Sequence, residues 1–157
     1  MEFVMTEIVE GAAAPDFNLE TADGPVKLAD FAGKTLVLYF YPKDDTGGCT
    51  KEAQAFTELG PEFAKAGVAV LGVSKDSIAS HTKFAAKYDL GVKLGSDPQG
   101  EVIERYGSWV EKSLYGRKYM GIDRSTFLIK DGKVAKVWRK VRVPGHAEAV
   151  LAAAQAL

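Results

Sequence analysis

The stretch from Thr35 to Tyr41 is almost continuously apolar, as expected of a strand buried on both faces of a sheet. Gly67 to Ser74, with Val68, Ala69, Val70, Leu71 and Val73, predicts a second such strand. Ahead of them, Asp16-Phe17-Asn18-Leu19 alternates between apolar and polar positions. The turn formers Ala22-Asp23-Gly24-Pro25 then let Val26-Lys27-Leu28 return as a hairpin partner. Near the other end, the stretches Ser125 to Lys130 and Val134 to Val143 flank Asp131-Gly132, a strong hairpin signal.

Between these stretches the apolar spacing lengthens to that of helices. Ala53, Phe56, Leu59 and Phe63 predict a helix over Thr50 to Ala66, broken at Gly60-Pro61, where Pro61 opens a second short segment. Ser77 caps a predicted helix that runs to Tyr88, with Ile78, Phe84, Ala85 and Tyr88 turned inward. Asp97 and Pro98 read as an N-cap and first-turn proline ahead of Val102, Ile103 and Tyr106. A last helix starts near His146 and places Ala147, Val150, Leu151 and Ala154 on one face. Strands alternating with helices, then a hairpin and a helix, define an α/β protein.

The chain has 157 residues, which suits one domain (1–157, the first ten as an extended tail) with a sizeable core. A formal charge of -1 gives no electrostatic case for nucleic acid or an anionic membrane surface. No apolar run approaches membrane-spanning length. Glu2, Glu7 and Glu10, with no Lys or Arg before Lys27, do not make a secretory signal, and Met5 stands as an alternative start. A single cysteine excludes a disulfide framework and fits a reducing cytoplasm.

That cysteine has distinctive neighbours. The run Pro42-Lys43-Asp44-Asp45-Thr46-Gly47-Gly48-Cys49 joins the first buried strand to the first helix. A lone thiol is most often a small buried hydrophobe. Such a thiol needs neither glycines that admit a ligand to the backbone, nor a nearby threonine hydroxyl, nor a proline where the strand ends. Strand, polar loop, cysteine and helix is an arrangement that favours a reactive thiolate, because the N–H groups at a helix start lack intrahelical partners and carry partial positive charge.

Pro42, Thr46 and Cys49 match the Pro-x-x-x-Thr-x-x-Cys signature, and the chain resembles the peroxiredoxins. Glu52, Gly72-Val73-Ser74, Ser96-Asp97-Pro98, Arg124-Ser125-Thr126-Phe127 and Gly145-His146 extend the similarity from about Gly11 to the C-terminus. They point to the Q-type branch, the bacterioferritin comigratory proteins. The chain departs from that pattern twice. Gly47 stands where Pro is usual, and Gln54 and Ala85 occupy the two positions where relatives carry a second, resolving cysteine. No internal disulfide can form.

The resemblance implies a thioredoxin-like fold, with a central mixed sheet flanked by helices and an N-terminal hairpin. It implies a thiol peroxidase, without cofactor or metal, that reduces hydrogen peroxide and alkyl hydroperoxides through a sulfenic acid. It also assigns roles. Cys49 would be the nucleophile and Thr46 would bridge thiolate and peroxide. The backbone N–H groups of Gly48 and Cys49 would hold the peroxide oxygen, Arg124 would donate to both, Pro42 would shield the sulfur and Glu52 would orient the arginine. The external thiol would be thioredoxin, glutaredoxin or glutathione, and the protein a monomer or weak homodimer in the cytoplasm. A peroxide sensor that signals by mixed disulfide is the competing expectation. A helix terminus supplies only about 0.3 to 2 kcal/mol, whereas shifting a thiol by two pH units takes about 2.7 kcal/mol. A cation such as Arg124 therefore suits the site. His81 and His146 lack metal-ligand spacing and read as surface or capping residues; Arg117, Tyr119 and Met120 read as packing or a loop lining the substrate, and Arg139, Lys140 and Arg142 as a solvated strand face.

Overall fold

A computed structural model describes residues 8–157. Met5 and most of the expected tail lie outside the described residues. The nearly all-apolar stretch becomes β3 (Thr35–Phe40), the hub of a seven-stranded mixed sheet. It pairs in parallel with β4 (Val68–Ser74) and antiparallel with β8 (Ser125–Lys130). Beyond β4 come β5 (Lys93–Ser96), β1 (Asn18–Thr21) and β2 (Gly24–Lys27), and beyond β8 comes β9 (Lys133–Trp138).

Alternation along β3 divides the core. Leu36, Leu38 and Phe40 face one apolar cluster with Phe17, Leu71, Val102, Ile103, Tyr106 and Phe127. Val37, Tyr39 and Tyr41 face another with Cys49, Ala53, Phe56, Phe63, Phe84 and Val150. The second cluster lies under four helices, α1 (Gly47–Glu58), α2 (Gly60–Lys65), α3 (Ile78–Tyr88) and α5 (His146–Gln155). The first is covered in part by α4 (Glu101–Arg105). The architecture is the thioredoxin-like mixed sheet with an N-terminal hairpin.

Several boundaries differ from the sequence expectation. Helix α1 starts at Gly47 rather than Thr50, which places Cys49 inside its first turn. Pro25 lies in β2, because Thr21 closes a tighter turn: its hydroxyl donates to Gly24 O (2.6 Å) and accepts from Asp23 N (3.1 Å). Asp97-Pro98 forms a turn ahead of α4 rather than its cap, although Asp97 still accepts from Ile103 N (2.9 Å). Strand β9 ends at Trp138, well before Val143. Three strands have no counterpart in the expectation. They are β5, a four-residue strand containing a glycine, and the two-stranded hairpin β6 (Trp109–Leu114) and β7 (Arg117–Ile122), whose exposed charges interrupt any apolar alternation. Arg117, Tyr119 and Met120 are thus exposed strand residues rather than loop or packing. Arg139 is not on a solvated face. It donates to the carbonyls of Tyr106 (3.0 Å) and Gly107 (3.2 Å) and sits over the Phe127 ring.

Candidate functional site

The Pro42–Thr46 loop leaves the carboxyl end of β3, the position where open α/β sheets place their ligands. Its shape is set by buried side chains. Asp44 is the centre: Oδ1 accepts from the Tyr41 hydroxyl (2.6 Å), and Oδ2 accepts from Ser80 Oγ (2.8 Å) and lies 2.7 Å from His81 Nδ1. Asp44 N donates to Asp76 Oδ2 (2.9 Å). Burial opposes the Asp44 charge, but the bonds from His81, Tyr41 and Ser80 outweigh it and hold the carboxyl below its usual range. Asp45, in the left-handed region at φ 56°, accepts from Tyr88 Oη (2.6 Å) and Lys87 Nζ (2.8 Å). His81 is therefore a buried tie between α3 and this loop, not a surface residue. Its other nitrogen lies 3.0 Å from Gly95 O.

Helix α1 begins as the loop ends. Thr46 is the N-cap residue with extended backbone, and Thr50 N makes the first helical bond to Thr46 O (2.8 Å). The N–H groups of Gly47, Gly48 and Cys49 lie ahead of that bond, in the electropositive first turn. Cys49, Ala53 and Phe56 recur at helical spacing and turn the thiol inward, where Cys49 is 2 % exposed.

Arg124 reaches this turn from the start of β8. It is held there by Val141 N, which donates to Arg124 O (2.9 Å). Its Nη2 donates to Cys49 Sγ (3.2 Å) and its Nη1 to Glu52 Oε1 (2.8 Å). Gly48 makes room, because a Cβ there would lie 3.2 Å from Arg124 Nη2. Glu52 is 1 % exposed and its Oε2 has no hydrogen-bond partner among the described residues. Burial pushes the Glu52 carboxyl up to about 7, against the pull of Arg124. Burial also opposes the Arg124 charge, but Glu52 and Cys49 together hold the guanidinium above its ordinary range.

The structure therefore brings Cys49, Arg124 and Glu52 together. Gly48 lines the same turn and Pro42 is half-buried at the strand end. Thr46 makes no hydrogen bond to Cys49; its exposed hydroxyl donates to Lys43 O (2.9 Å).

Two residues missing from the sequence-based site stand behind it. Tyr39 is stacked on Phe56 with its hydroxyl buried and without a hydrogen-bond partner among the described residues. Burial, then the charge of Glu52, holds it as a neutral phenol. Its ring crosses Gly72, where a Cβ would come within 2.6 Å of it. His146 is buried rather than capping or superficial. Its Nε2 lies 2.8 Å from Thr126 Oγ1 and its ring packs edge-on against Phe56 and Trp138. Burial and then the Arg124 charge lower its pKa to about 4. Among the described residues no group of three or more His, Cys, Asp or Glu side chains could hold a metal ion, and no helix is long and apolar enough to cross a membrane.

Comparison with known proteins bears on this geometry. Residues 11–137 match the model of the AhpC/TSA family. Peroxiredoxin Bcp of Xanthomonas campestris is 48 % identical over 147 residues, covering 92 % of both chains. Peroxiredoxin Bcp of Bacillus subtilis is 46 % identical over 138 residues, covering 87 % of this chain and 88 % of the relative. A structure of Xanthomonas campestris bacterioferritin comigratory protein, from work on its alkyl peroxide reduction activity, superimposes with a TM-score of 0.85 at 46 % identity. It covers 89 % of this chain and 90 % of that one. A family model spanning most of the sequence, relatives alike over nearly their full length and a shared fold agree with the thiol–guanidinium site: the chain belongs to the AhpC/TSA family and, within it, to the Bcp or Q-type peroxiredoxins.

Proposed function

We propose that Cys49 reduces hydrogen peroxide and alkyl hydroperoxides to water or alcohol and is itself oxidised to a sulfenic acid, which an external thiol then resolves. The observation that carries this reading is the Arg124 fork, with one arm on Cys49 Sγ and the other on buried Glu52. The alkyl peroxide reduction activity of the Xanthomonas campestris relative supports the substrate class.

The thiolate attacks one peroxide oxygen, an S–O bond forms as the O–O bond breaks, and the leaving oxygen takes a proton. Ionising the thiol gains little by itself. A free thiol is already a few per cent thiolate at neutral pH, so full ionisation adds roughly one to two powers of ten, and nucleophilicity falls as ionisation becomes easier. Greater acceleration requires donors aimed at the charge that develops on the departing oxygen. Arg124 can serve sulfur and peroxide together, held at the required angle by Glu52. The N–H groups of Gly48 and Cys49 lie at the electropositive helix start. The Thr46 hydroxyl spends its proton on Lys43 O and so has lone pairs free to accept from the peroxide O–H. Pro42 limits water access at the strand end.

Gln54 and Ala85 supply no second thiol, so turnover depends on thioredoxin, glutaredoxin or glutathione, in the cytoplasm, with the protein a monomer or weak homodimer. The same lack of a resolving thiol favours one alternative, a peroxide sensor whose sulfenic acid persists until a partner forms a mixed disulfide. Intact-mass measurement after one equivalent of peroxide tests the chemistry. A gain of one oxygen, absent from Cys49→Ser, is expected, and an inert thiol refutes it. Multiple turnovers with a thiol reductant support the peroxidase, whereas a single turnover that stalls supports the sensor.

A further inference from the structure

Arg124 stands between two groups that can each be anionic. Its side chain is 17 % exposed, that of Glu52 is 1 % exposed, and Cys49 is 2 % exposed. A thiolate and a carboxylate sharing one guanidinium leave an excess negative charge in this buried space. The other ionisable groups packed around it do not compensate. Tyr39 on β3 is a neutral phenol, Asp44 in the loop is an anion already paired with His81, and His146 on α5 is neutral at pH 7. Among the described residues no second lysine or arginine bonds to Cys49 or Glu52. The buried, unpartnered Oε2 adds a second cost, since a desolvated carboxylate oxygen without a donor is unfavourable.

We infer that Glu52 carries a proton while Cys49 is a thiolate and gives that proton up when the thiolate is oxidised, a claim that rests on the sulfenic acid chemistry proposed above. The balance is thiolate plus Glu52 carboxylic acid plus hydroperoxide, giving sulfenic acid plus Glu52 carboxylate plus alcohol or water. The sulfur is oxidised, the O–O bond is reduced, and the proton lost from Glu52 equals the one gained by the leaving oxygen, with solvent as the intermediary. The cluster is neutral before the reaction, when Arg124 balances the thiolate, and neutral afterwards, when Arg124 balances Glu52. The raised pKa of the Glu52 carboxyl places this exchange near neutral pH. Beyond orienting the arginine, a protonated Glu52 thus leaves Arg124 to the thiolate.

Infrared difference spectroscopy on the whole protein at pH 6, before and after one equivalent of peroxide, tests this. A carboxylic acid band is expected in the reduced protein, moved by carbon-13 labelling of glutamate, absent in Glu52→Gln, and lost on oxidation. Asp97 is the other carboxyl whose pKa burial raises, and glutamate labelling leaves its band in place. The labelling also assigns the band if the Gln variant does not fold. No glutamate acid band in the reduced protein overturns the inference, as expected if a water satisfies an ionised Glu52. A band unchanged by oxidation overturns it too. Intact mass on the same samples keeps the two claims separate. Failure to gain an oxygen refutes the sulfenic acid chemistry, while the band of the reduced protein still decides where the proton resides.

Discussion

Replacing Arg124 by Lys separates two roles that the structure gives this side chain. The guanidinium makes two charge-assisted bonds at once, 3.2 Å to Cys49 Sγ and 2.8 Å to Glu52 Oε1. If only its positive charge matters, Lys preserves most of the effect. A unit charge near 4 Å is worth about 4 kcal/mol at an effective dielectric of about 20, whichever residue carries it. If the fork matters, Lys serves one partner and abandons the other. A hydrogen bond to a charged group contributes about 1.5 to 3 kcal/mol, and the bond to peroxide in the transition state is lost with it. The expected loss in kcat/KM for peroxide is at least about a hundredfold, or roughly 2.7 kcal/mol.

Stopped-flow peroxide reduction measures that loss. Iodoacetamide alkylation against pH is the companion assay, because it needs the thiolate but no aligned peroxide. Alkylation of Arg124→Lys is expected to change far less than peroxide reduction. Equal losses in both assays would make the role purely coulombic, and an unchanged peroxide rate would remove Arg124 from the site. Arg124→Met is expected to lose more of the peroxide rate than Lys, while its cost in stability stays well below the about 3 to 5 kcal/mol of breaking a buried pair whose other partner remains charged, because Glu52 carries a proton. A stability cost in that full range would instead mean that Glu52 is ionised.

Four further outcomes are expected. Cys49→Ser should abolish peroxide consumption while leaving the thermal unfolding temperature nearly unchanged, and residual activity near wild type in a metal-free assay would refute the nucleophile assignment. Gly47→Pro should stabilise the fold by about 0.5 to 1 kcal/mol in denaturant titrations, since Gly47 is the first residue of α1, its Cβ position is open and Thr46 before it is already extended; destabilisation would contradict that geometry. Asp44→Ala should cost about 1 to 3 kcal/mol by leaving the buried Tyr41 hydroxyl and His81 ring without their acceptor, and a loss well under about 1 kcal/mol would show that Asp44 does not anchor the loop. In thermal unfolding between pH 4 and 8 two opposed slopes should largely offset each other in the wild type between about 4.5 and 6.5: the stability that protonated Glu52 contributes is full below about 4.5 and lost as pH rises through 7, whereas that of neutral His146 is full above about 6.5 and lost as pH falls through 4. Glu52→Gln should remove the first slope and His146→Gln the second; profiles parallel to wild type would contradict both assignments.

The parts of this molecule that were legible in its sequence are those whose signal is local. Leu36 to Phe40 is an unbroken apolar run because β3 is covered on both faces, and Ser77 was recognisable as a cap because its hydroxyl accepts from Ser80 N within one turn. The Cys49 motif was legible because the loop and the helix start are contiguous in the chain. What stayed hidden depends on partners distant in sequence. Asp44 looked like a turn former until α3 brought Ser80 and His81 to it, across separations of 36 and 37 residues. His146 looked superficial because nothing near it in the chain announces that Phe56, Thr126 and Trp138 close around it. The exposed hairpin β6–β7 stayed hidden for the opposite reason: its strands pair with each other and bury little, so their side chains carry no period for burial to impose.

The Asp44 network also explains how the chain tolerates Gly47 where relatives use proline. Proline would stiffen the helix start by removing conformations from the unfolded chain, a gain of about 1 kcal/mol or less. Asp44 and Asp45 fix the same loop from outside instead, through Tyr41 on the preceding strand end, Asp76 beyond β4, and Ser80, His81, Lys87 and Tyr88 on α3. These ties hold the residues just before Gly47, so its freedom is confined to the first turn. The same ties bind the loop to α3, the helix that carries Ala85 in place of a second cysteine. Cys49 is 2 % exposed, so a thiol from any source reaches the sulfur only when the loop or the first turn of α1 yields. The network that orders the loop therefore also stands between the buried sulfur and any thiol that would resolve it.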